Sequence, residues 1–313
     1  MKRALLFPGQ GSQAIGMGKE LCGAFQTAKD VFAEVDEALK QNLSKLMFEG
    51  SDADLKLTEN TQPALMAVSM AVIRVLEKDG KKKVSDLASY VAGHSLGEYA
   101  ALCAAGTFTI ADTARLLRKR GSAMQVAVPV GIGSMAALLG VDMQQAAEIA
   151  KEAEQGQVCA TANDNSVGQV VISGHKEAIE RAVAIAATKG FKRSVILPVS
   201  APFHCSLMQP AADAMQEALV QVKMNTPVVP VIANVTASEQ TDVNEIRKLL
   251  VAQVTGAVRW RESMLALKEK GVETAIEAGS GTVLAGLMKR IDKEIQVTSL
   301  HTPQDIEAFL KTA

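Results

Sequence analysis

Short apolar runs alternate along the chain with longer segments in which apolar residues recur at helical spacing. The apolar run from Ala4 to Phe7 predicts a strand, and helical patterns follow over about 17–41, 64–79 and 110–127. This alternation favours an α/β fold over separate all-helical and all-strand parts. The elements expected after residue 199 are strands at 229–234 and 272–276, with helices near 206–222, 242–254, 259–270 and 282–291.

A different order of elements is predicted between about residues 130 and 199. The predicted elements are a strand at 135–139, a helix at 142–154, strands at 158–161 and 169–172, a helix at 175–189 and a strand at 191–197. The order βαββαβ is the ferredoxin-like arrangement. We therefore expect a larger α/β domain built from residues 1–128 and 199–313, with an inserted ferredoxin-like α+β subdomain at 129–198.

Composition and charge narrow the classes of function. Hydrophobic residues make up 48% of the chain and the formal net charge is −1. Such a chain has no general attraction for nucleic acid or for an anionic membrane, so neither is expected as a partner. The first apolar run ends at Pro8 and is too short for the apolar part of a signal peptide. The longest run, from Ala64 to Leu76, is interrupted by Ser69 and Arg74, so it is not expected to span a membrane. The four cysteines lack C-x-x-C spacing and are expected to be reduced thiols in a cytoplasmic protein.

The strongest chemical signal is the segment GHSLG at 93–97. It lies between a short apolar run and a helical pattern, and its two glycines permit a tight turn that exposes the hydroxyl of Ser95. The first amides of the following helix would face an oxygen that becomes negative there. This context favours a serine nucleophile, and the alternative is a glycine-rich turn without chemistry. His94 is not expected to be its base, because neighbouring side chains in an extended segment point to opposite sides.

Three further positions carry possible chemistry. His204 lies in a loop fixed by two prolines, where it is either the base for a serine or a solvated histidine. Arg120 falls on the apolar face of the helix predicted over 110–127, so it needs an anionic partner: an internal carboxylate or that of a substrate. Gln10 follows the first strand, where its amide could join that of Leu96 as an oxyanion donor, or simply belong to a glycine-rich turn.

Six segments, in this order, resemble the malonyl-CoA:acyl carrier protein transacylases. They are FPGQGSQ at 7–13, TQPA at 61–64, GHSLGE at 93–98, KRG at 119–121, PFH at 202–204 and VRW at 258–260. The resemblance covers nearly the whole chain and implies a hydrolase-like α/β domain with a parallel sheet core and a ferredoxin-like insert. It also implies that Ser95 is the nucleophile, that His204 is its base, and that Arg120 holds the malonyl carboxylate.

The same resemblance implies supporting roles for three more residues. The backbone amides of Gln10 and Leu96 would form the oxyanion hole, and Gln253 would supply the carbonyl oxygen that orients the histidine in place of an aspartate. One segment departs from the family: this chain has Ser280 and Thr282 where the family usually has proline and lysine.

The reaction implied by the resemblance moves the malonyl group from malonyl-CoA to the phosphopantetheine thiol of acyl carrier protein, through a malonyl ester on Ser95, and supplies fatty acid synthesis. It needs no metal or redox cofactor, and the sequence shows no cluster of metal ligands. One alternative is an esterase or thioesterase of the α/β-hydrolase type, whose late histidine would have to be His301. The other is a non-catalytic module that binds the carrier protein. Against the hydrolase, no His-Gly-Gly-Gly segment precedes the serine, and Arg120 would lack a role.

Overall fold

The computed structural model describes residues 2–199 and 201–312. Its strands are β1 (Lys2–Phe7), β2 (Tyr90–Gly93), β3 (Gly133–Leu139), β4 (Cys159–Ser166), β5 (Gln169–His175), β6 (Val195–Ile196), β7 (Val231–Ala233), β8 (Ser238–Gln240), β9 (Val272–Ala278) and β10 (Gln296–Leu300). Its helices are α1 (Lys19–Ala24), α2 (Gln26–Leu39), α3 (Leu43–Glu49), α4 (Asp52–Lys56), α5 (Thr58–Lys78), α6 (Val84–Leu87), α7 (Gly97–Ala104), α8 (Ile110–Val126), α9 (Met143–Glu154), α10 (Lys176–Thr188), α11 (Gln209–Val220), α12 (Val243–Thr255), α13 (Trp260–Glu269), α14 (Val283–Ile291) and α15 (Pro303–Thr312). None of the helices in these two described ranges is long and apolar enough to cross a membrane.

The larger sheet has six strands in the order β10-β9-β1-β2-β7-β8. All neighbours are parallel except β8, which pairs antiparallel with β7 at the edge. The central strand β1 is apolar from Ala4 onwards because helices cover both faces of a parallel sheet. Phe7 pairs with Gly93, so the carboxyl ends of β1 and β2 lie side by side. This pairing brings the loop after β1 next to the GHSLG turn.

The smaller sheet is antiparallel, with strand order β4-β5-β3-β6. Helices α9 and α10 pack against it through a separate apolar cluster that includes Leu138, Ile149, Ile172 and Ile179. The predicted order βαββαβ is confirmed, although its last strand is reduced to Val195–Ile196. The division of the chain into domains at residues 129 and 198 stays a prediction.

Main-chain and side-chain contacts join the two sheets. The segment before α13 pairs with β4: the N–H of Val258 donates to the carbonyl of Ala162, and the N–H of Asp164 donates to the carbonyl of Val258. Next to this pairing, Arg261 forms an ion pair with Asp164. These hydrogen bonds and this ion pair therefore connect the two parts of the protein on either side of the cleft.

Candidate active site

Ser95 lies on a sharp turn between β2 and α7, with a backbone φ of 53° in the left-handed region. A Cβ at Gly93 would lie 1.9 Å from the carbonyl oxygen of Gly97, and a Cβ at Gly97 would lie 2.3 Å from that of Phe7. Both glycines are thus required by close approach of main-chain atoms. The predicted strand–turn–helix geometry around the serine is confirmed.

Asn234, which follows β7, stabilises this turn through two side-chain hydrogen bonds. Its Oδ1 accepts a hydrogen bond from the N–H of Ser95 at 2.8 Å, and its Nδ2 donates to the carbonyl of Gly93 at 2.7 Å. No motif in the sequence predicted a role for Asn234. The available signal was its position at the carboxyl end of a predicted strand, the edge where α/β sheets place functional groups.

The structure brings His204 to Ser95. Its Nε2 lies 2.8 Å from the Oγ of Ser95, and its Nδ1 lies 2.8 Å from the main-chain oxygen of Gln253. A carbonyl oxygen only accepts, so Nδ1 carries the proton and Nε2 is free to accept from the serine. Burial, and then the charge of Arg120, lower the pKa of His204 to about 3. The imidazole is therefore neutral at neutral pH, which is the form of a general base.

The oxygen that orients His204 belongs to the last turn of α12. The final four carbonyls of a helix have no donor within the helix, so the carbonyl of Gln253 is available to an outside donor. The same end of the helix carries a partial negative charge, which stabilises a positive imidazolium. The helix end therefore takes the place of the carboxylate that orients the histidine in many serine enzymes.

Arg120 is 1% exposed, and its contacts converge on the same serine. Nη1 donates to Oε1 of Gln62 at 2.8 Å, while Nη2 donates to Oε1 of Gln253 at 2.9 Å and to Oγ of Ser95 at 3.2 Å. Among the described residues its Nε has no hydrogen-bond partner. These direct partners are amide and hydroxyl oxygens, so the guanidinium lies beside the nucleophile with its charge not paired by a carboxylate.

A buried carboxylate, which sequence reasoning also missed, lies under the turn. Glu98 is 1% exposed, and its Oε2 accepts from Nε2 of Gln253 at 2.8 Å and from the N–H of Asn234 at 3.1 Å. Burial raises the pKa of Glu98 to about 7. The sequence signal was its place in the GHSLGE segment, which by itself assigns no role.

One cavity of about 480 Å³ joins most of the predicted site residues. Gln10, Ser95, Leu96, Arg120 and His204 line it, whereas Gln253 lies behind them and contacts Arg120 and His204. Its walls come from both sheets and their connections, with side chains that include Met124, Met135, Asn163, Leu197 and Phe203. An acyl group could therefore reach Ser95 in a largely apolar cleft.

The loop that contains Gln10 is tied to the segment that departs from the family. The Oγ of Ser280 donates to the carbonyl of Ser12 at 2.7 Å. Thr282 stands at the start of α14 but its side chain caps nothing. The carboxylate of Glu277 caps that helix instead, accepting from the amides of Leu284 and Ala285.

The other candidate histidine has a different environment. His301 follows β10, with its Nδ1 3.2 Å from a carboxylate oxygen of Asp305, and it does not line the cavity at Ser95. The hydrolase alternative, which required His301 as the base, is therefore wrong on this point. His94 bonds through Nε2 to Asn165 at 2.8 Å, as expected for a side chain that points away from the serine hydroxyl. Within the described ranges, no group of three or more histidine, cysteine or acidic side chains could hold a metal ion.

Comparison with known proteins agrees with this geometry. The acyl transferase domain family matches residues 4–302. The malonyl CoA-acyl carrier protein transacylase of Bacillus subtilis (strain 168) is 43% identical over 99% of this chain and 97% of its own length. The enzyme of that name from Escherichia coli (strain K12) is 44% identical over 98% of both chains.

Two solved structures extend the comparison to the fold. The acyl-carrier-protein-S-malonyltransferase from Bartonella henselae has a TM-score of 0.97 and 56% identity, covering 99% of each chain. A malonyl-transacylase in complex with its type II PKS acyl-carrier protein has a TM-score of 0.96 and 40% identity, covering 100% of each chain. Because these similarities span nearly the whole length, the protein belongs to the malonyl CoA-acyl carrier protein transacylase family and is an acyltransferase.

Proposed function

We propose that this protein transfers the malonyl group of malonyl-CoA to the phosphopantetheine thiol of acyl carrier protein, and so supplies malonyl units for fatty acid synthesis. One observation carries the proposal: the Oγ of Ser95 is in hydrogen-bond distance of both His204 Nε2 and Arg120 Nη2. In a malonyl thioester one methylene separates the reacting carbonyl from the carboxylate. A nucleophile with a base on one side and a cation on the other fits that substrate.

The first half-reaction acylates Ser95. His204 Nε2 takes the hydroxyl proton as Oγ attacks the thioester carbon, and the amides of Gln10 and Leu96 would stabilise the tetrahedral oxyanion. The carbon–sulfur bond then breaks, and the proton on His204 passes to the sulfur of departing coenzyme A. The carbonyl of Gln253, at the end of α12, stabilises the imidazolium between these two transfers.

The second half-reaction reverses these steps with another thiol. His204 takes the proton of the phosphopantetheine thiol, the sulfur attacks the malonyl ester, and the proton returns to Oγ of Ser95 as the ester bond breaks. The sequence of two half-reactions predicts a ping-pong rate law, with malonyl exchange between coenzyme A molecules when carrier protein is absent. No metal or redox group is required by this scheme.

The proposal includes two assignments about the whole chain. The large domain, residues 1–128 and 199–313, supplies Ser95, His204, Arg120 and their supports, and the subdomain at 129–198 supplies one wall of the cleft. A cytoplasmic location is part of the proposal because a coenzyme A thioester and a carrier protein must both reach the cleft.

Mass spectrometry after brief incubation with malonyl-CoA, without carrier protein, tests the proposal. The native protein should gain one malonyl group on the peptide that contains Ser95, and Ser95→Ala should gain none. His204→Ala should acylate about three to four orders of magnitude more slowly, because the serine loses its base. His301→Ala is the matched control and should behave as the native protein.

Other outcomes identify the alternatives. Rapid release of free malonate in the absence of carrier protein would favour a hydrolase. A native protein that takes up no malonyl group would favour a non-catalytic module that binds the carrier protein.

A further inference from the structure

Glu98 is a buried carboxylate that the reaction scheme does not use. It lies in the first turn of α7, it is 1% exposed, and it is not among the residues that line the cavity. Its Oε2 accepts hydrogen bonds from Nε2 of Gln253 and from the N–H of Asn234. A carboxylate that reaches neither solvent nor substrate has to act, if it acts at all, through these neighbours.

The side-chain amide of Gln253 lies between Glu98 and Arg120. Its Nε2 is 2.8 Å from Oε2 of Glu98, and its Oε1 is 2.9 Å from Nη2 of Arg120. An ionised carboxylate only accepts hydrogen bonds and a guanidinium only donates them. An amide placed between the two therefore has a single satisfactory orientation, with its nitrogen towards Glu98 and its oxygen towards Arg120.

This indirect connection solves a problem that a direct ion pair would create. A carboxylate bound to Arg120 would occupy the planar donor fork that a substrate carboxylate needs. With one amide in between, the buried cation still has an anion nearby, while the partners of its Nη1 and Nη2 are amide and hydroxyl oxygens rather than a carboxylate. The arrangement therefore leaves donor capacity at Arg120 for an incoming anion.

We propose that Glu98 is a positioning residue for the selection of malonyl over uncharged acyl groups: its carboxylate orients the amide of Gln253, which in turn aims the guanidinium of Arg120 at the malonyl carboxylate. The inference rests on the proposed function of the site. It assigns to Glu98 no contact with the substrate, and it predicts an effect on malonyl transfer that acetyl transfer does not share.

The proposal has a consequence for pH. A protonated Glu98 both donates and accepts, so it holds the amide of Gln253 less firmly, and only Arg120 and the carbonyl of Ser95, which accepts from the same nitrogen at 3.0 Å, then favour one orientation. Because burial raises the pKa of Glu98 to about 7, the carboxylate form is lost as pH falls through that value. The preference for malonyl should therefore decrease as pH falls below about 7.

Among the described residues at the site, Glu98 is a group whose charge changes in this range, whereas burial lowers the pKa of His94, which lines the cavity. Among the described residues, the charged or titratable groups that interact with it are Arg120 on α8 and Tyr99 on its own helix. Burial raises the pKa of Tyr99, so it stays neutral, and Arg120 stays charged. On the far side of Gln253, the pKa of His204 is lowered to about 3. Gln253 of α12 presents its neutral side-chain amide to Glu98, and Asn234, directly after β7, presents its main-chain N–H.

The experiment measures kcat/KM for malonyl-CoA and for acetyl-CoA between about pH 5.5 and 8.5. In the native enzyme the malonyl-to-acetyl ratio should fall about ten-fold from about pH 8 to about pH 6. In Glu98→Gln, which keeps the size of the side chain, the ratio at about pH 8 should be at least about ten-fold lower and should no longer depend on pH. Ionisation of coenzyme A itself affects both substrates and cancels in the ratio.

Glu277→Gln is the matched control. Glu277 is also a buried carboxylate held by protein donors, in its case Leu284 N, Ala285 N and Ser299 Oγ, but these donors are not among the partners of Arg120. This variant should keep the native ratio and its pH dependence.

Three results would overturn the proposal. The first is a Glu98→Gln enzyme with the native ratio and pH profile. The second is an equal loss of malonyl and acetyl transfer, which would indicate a merely structural role. The third is a ratio in the native enzyme that does not change with pH, and this measurement decides the question even if the variant does not fold. A native enzyme that transfers neither group would overturn the proposed function itself. If the native enzyme transfers malonyl in preference to acetyl, the proposed function stands and any of the three results counts against the role of Glu98 alone.

Discussion

Two arginines of this protein, Arg261 and Arg120, have opposite kinds of hydrogen-bond partner. Arg261 on α13 places its Nε 3.0 Å from both carboxylate oxygens of Asp164, and the pair joins α13 to β4. Arg120 on α8 is more deeply buried, but it bonds to amide and hydroxyl oxygens. The charge of Arg261 is neutralised by a carboxylate, whereas the charge of Arg120 is stabilised by hydrogen bonds to neutral amide and hydroxyl groups.

The difference separates a structural cation from one that can bind substrate. A guanidinium that holds a carboxylate in its fork has used the geometry by which it recognises anions. A guanidinium held by neutral oxygens keeps its charge and part of its donor set, so an anion that enters the cavity gains a partner. Helical spacing could not distinguish these cases for Arg120, because it shows that a partner is needed and not which one.

Among these tests, Arg120→Ala is expected to have the largest effect on acyl transfer. Malonyl transfer should fall strongly because the substrate carboxylate would be left unpaired in a closed site. Relative to acetyl transfer, the loss should be about two to three powers of ten. The measurement is kcat/KM for malonyl-CoA and acetyl-CoA on the native and variant enzymes. An unchanged malonyl-to-acetyl ratio would mean that Arg120 serves only the fold.

Arg261→Ala should show the opposite pattern. Its loss leaves the buried carboxylate of Asp164 without its cation, so the free energy of unfolding should decrease by about 3 kcal/mol. The malonyl-to-acetyl ratio should not change. Urea denaturation measures the loss, with Arg115→Ala as control, because the exposed pair of Arg115 and Asp112 should contribute less than about 1 kcal/mol. A change of acyl preference in Arg261→Ala would contradict this difference between the two arginines.

The smallest expected effect is the stabilisation of the protein by bound malonate, which tests the difference between the two arginines without measuring catalysis. Free malonate should stabilise the native protein and Arg261→Ala, because it supplies the anion that Arg120 lacks. At about ten times its dissociation constant the gain is about 1.4 kcal/mol, which a thermal shift detects. Acetate at the same concentration should stabilise less, since it offers one carboxylate and nothing for the rest of the site. A malonate shift that persists in Arg120→Ala would place the anion elsewhere.

Local features of the sequence predicted the parts of the site that depend on local geometry. The turn at Ser95 follows from glycines at fixed spacing, and the burial of Arg120 follows from its place on one face of a helix. Asn234 and Glu98 were not predicted, because their roles depend on contacts between residues 139 and 155 positions apart, Ser95 to Asn234 and Glu98 to Gln253. Such contacts follow from the order of strands in the sheet, which no short segment encodes.

The fold shows the same division. The strands and helices with clear apolar periodicity were predicted, and so was the order βαββαβ of the smaller sheet. The edge strands β8 and β10 were not, because Ser238–Gln240 is short and polar and Gln296–Leu300 is fully buried only at its last residue. An edge strand with one exposed side lacks the continuous apolar run of a central parallel strand.

Position 253 has a property that bears on how this enzyme can change by mutation. Its side chain contacts Arg120, but the atom that orients His204 is its main-chain oxygen. Codons specify side chains, so no substitution at this position deletes the acceptor, whereas an aspartate in the same role is lost by a single base change. A saturation scan of position 253 would therefore report on acyl preference and leave the orientation of the base unprobed. The vulnerable point for that orientation is the place where α12 stops, which Gly256 sets by leaving the helical conformation and donating to the carbonyl of Ala252.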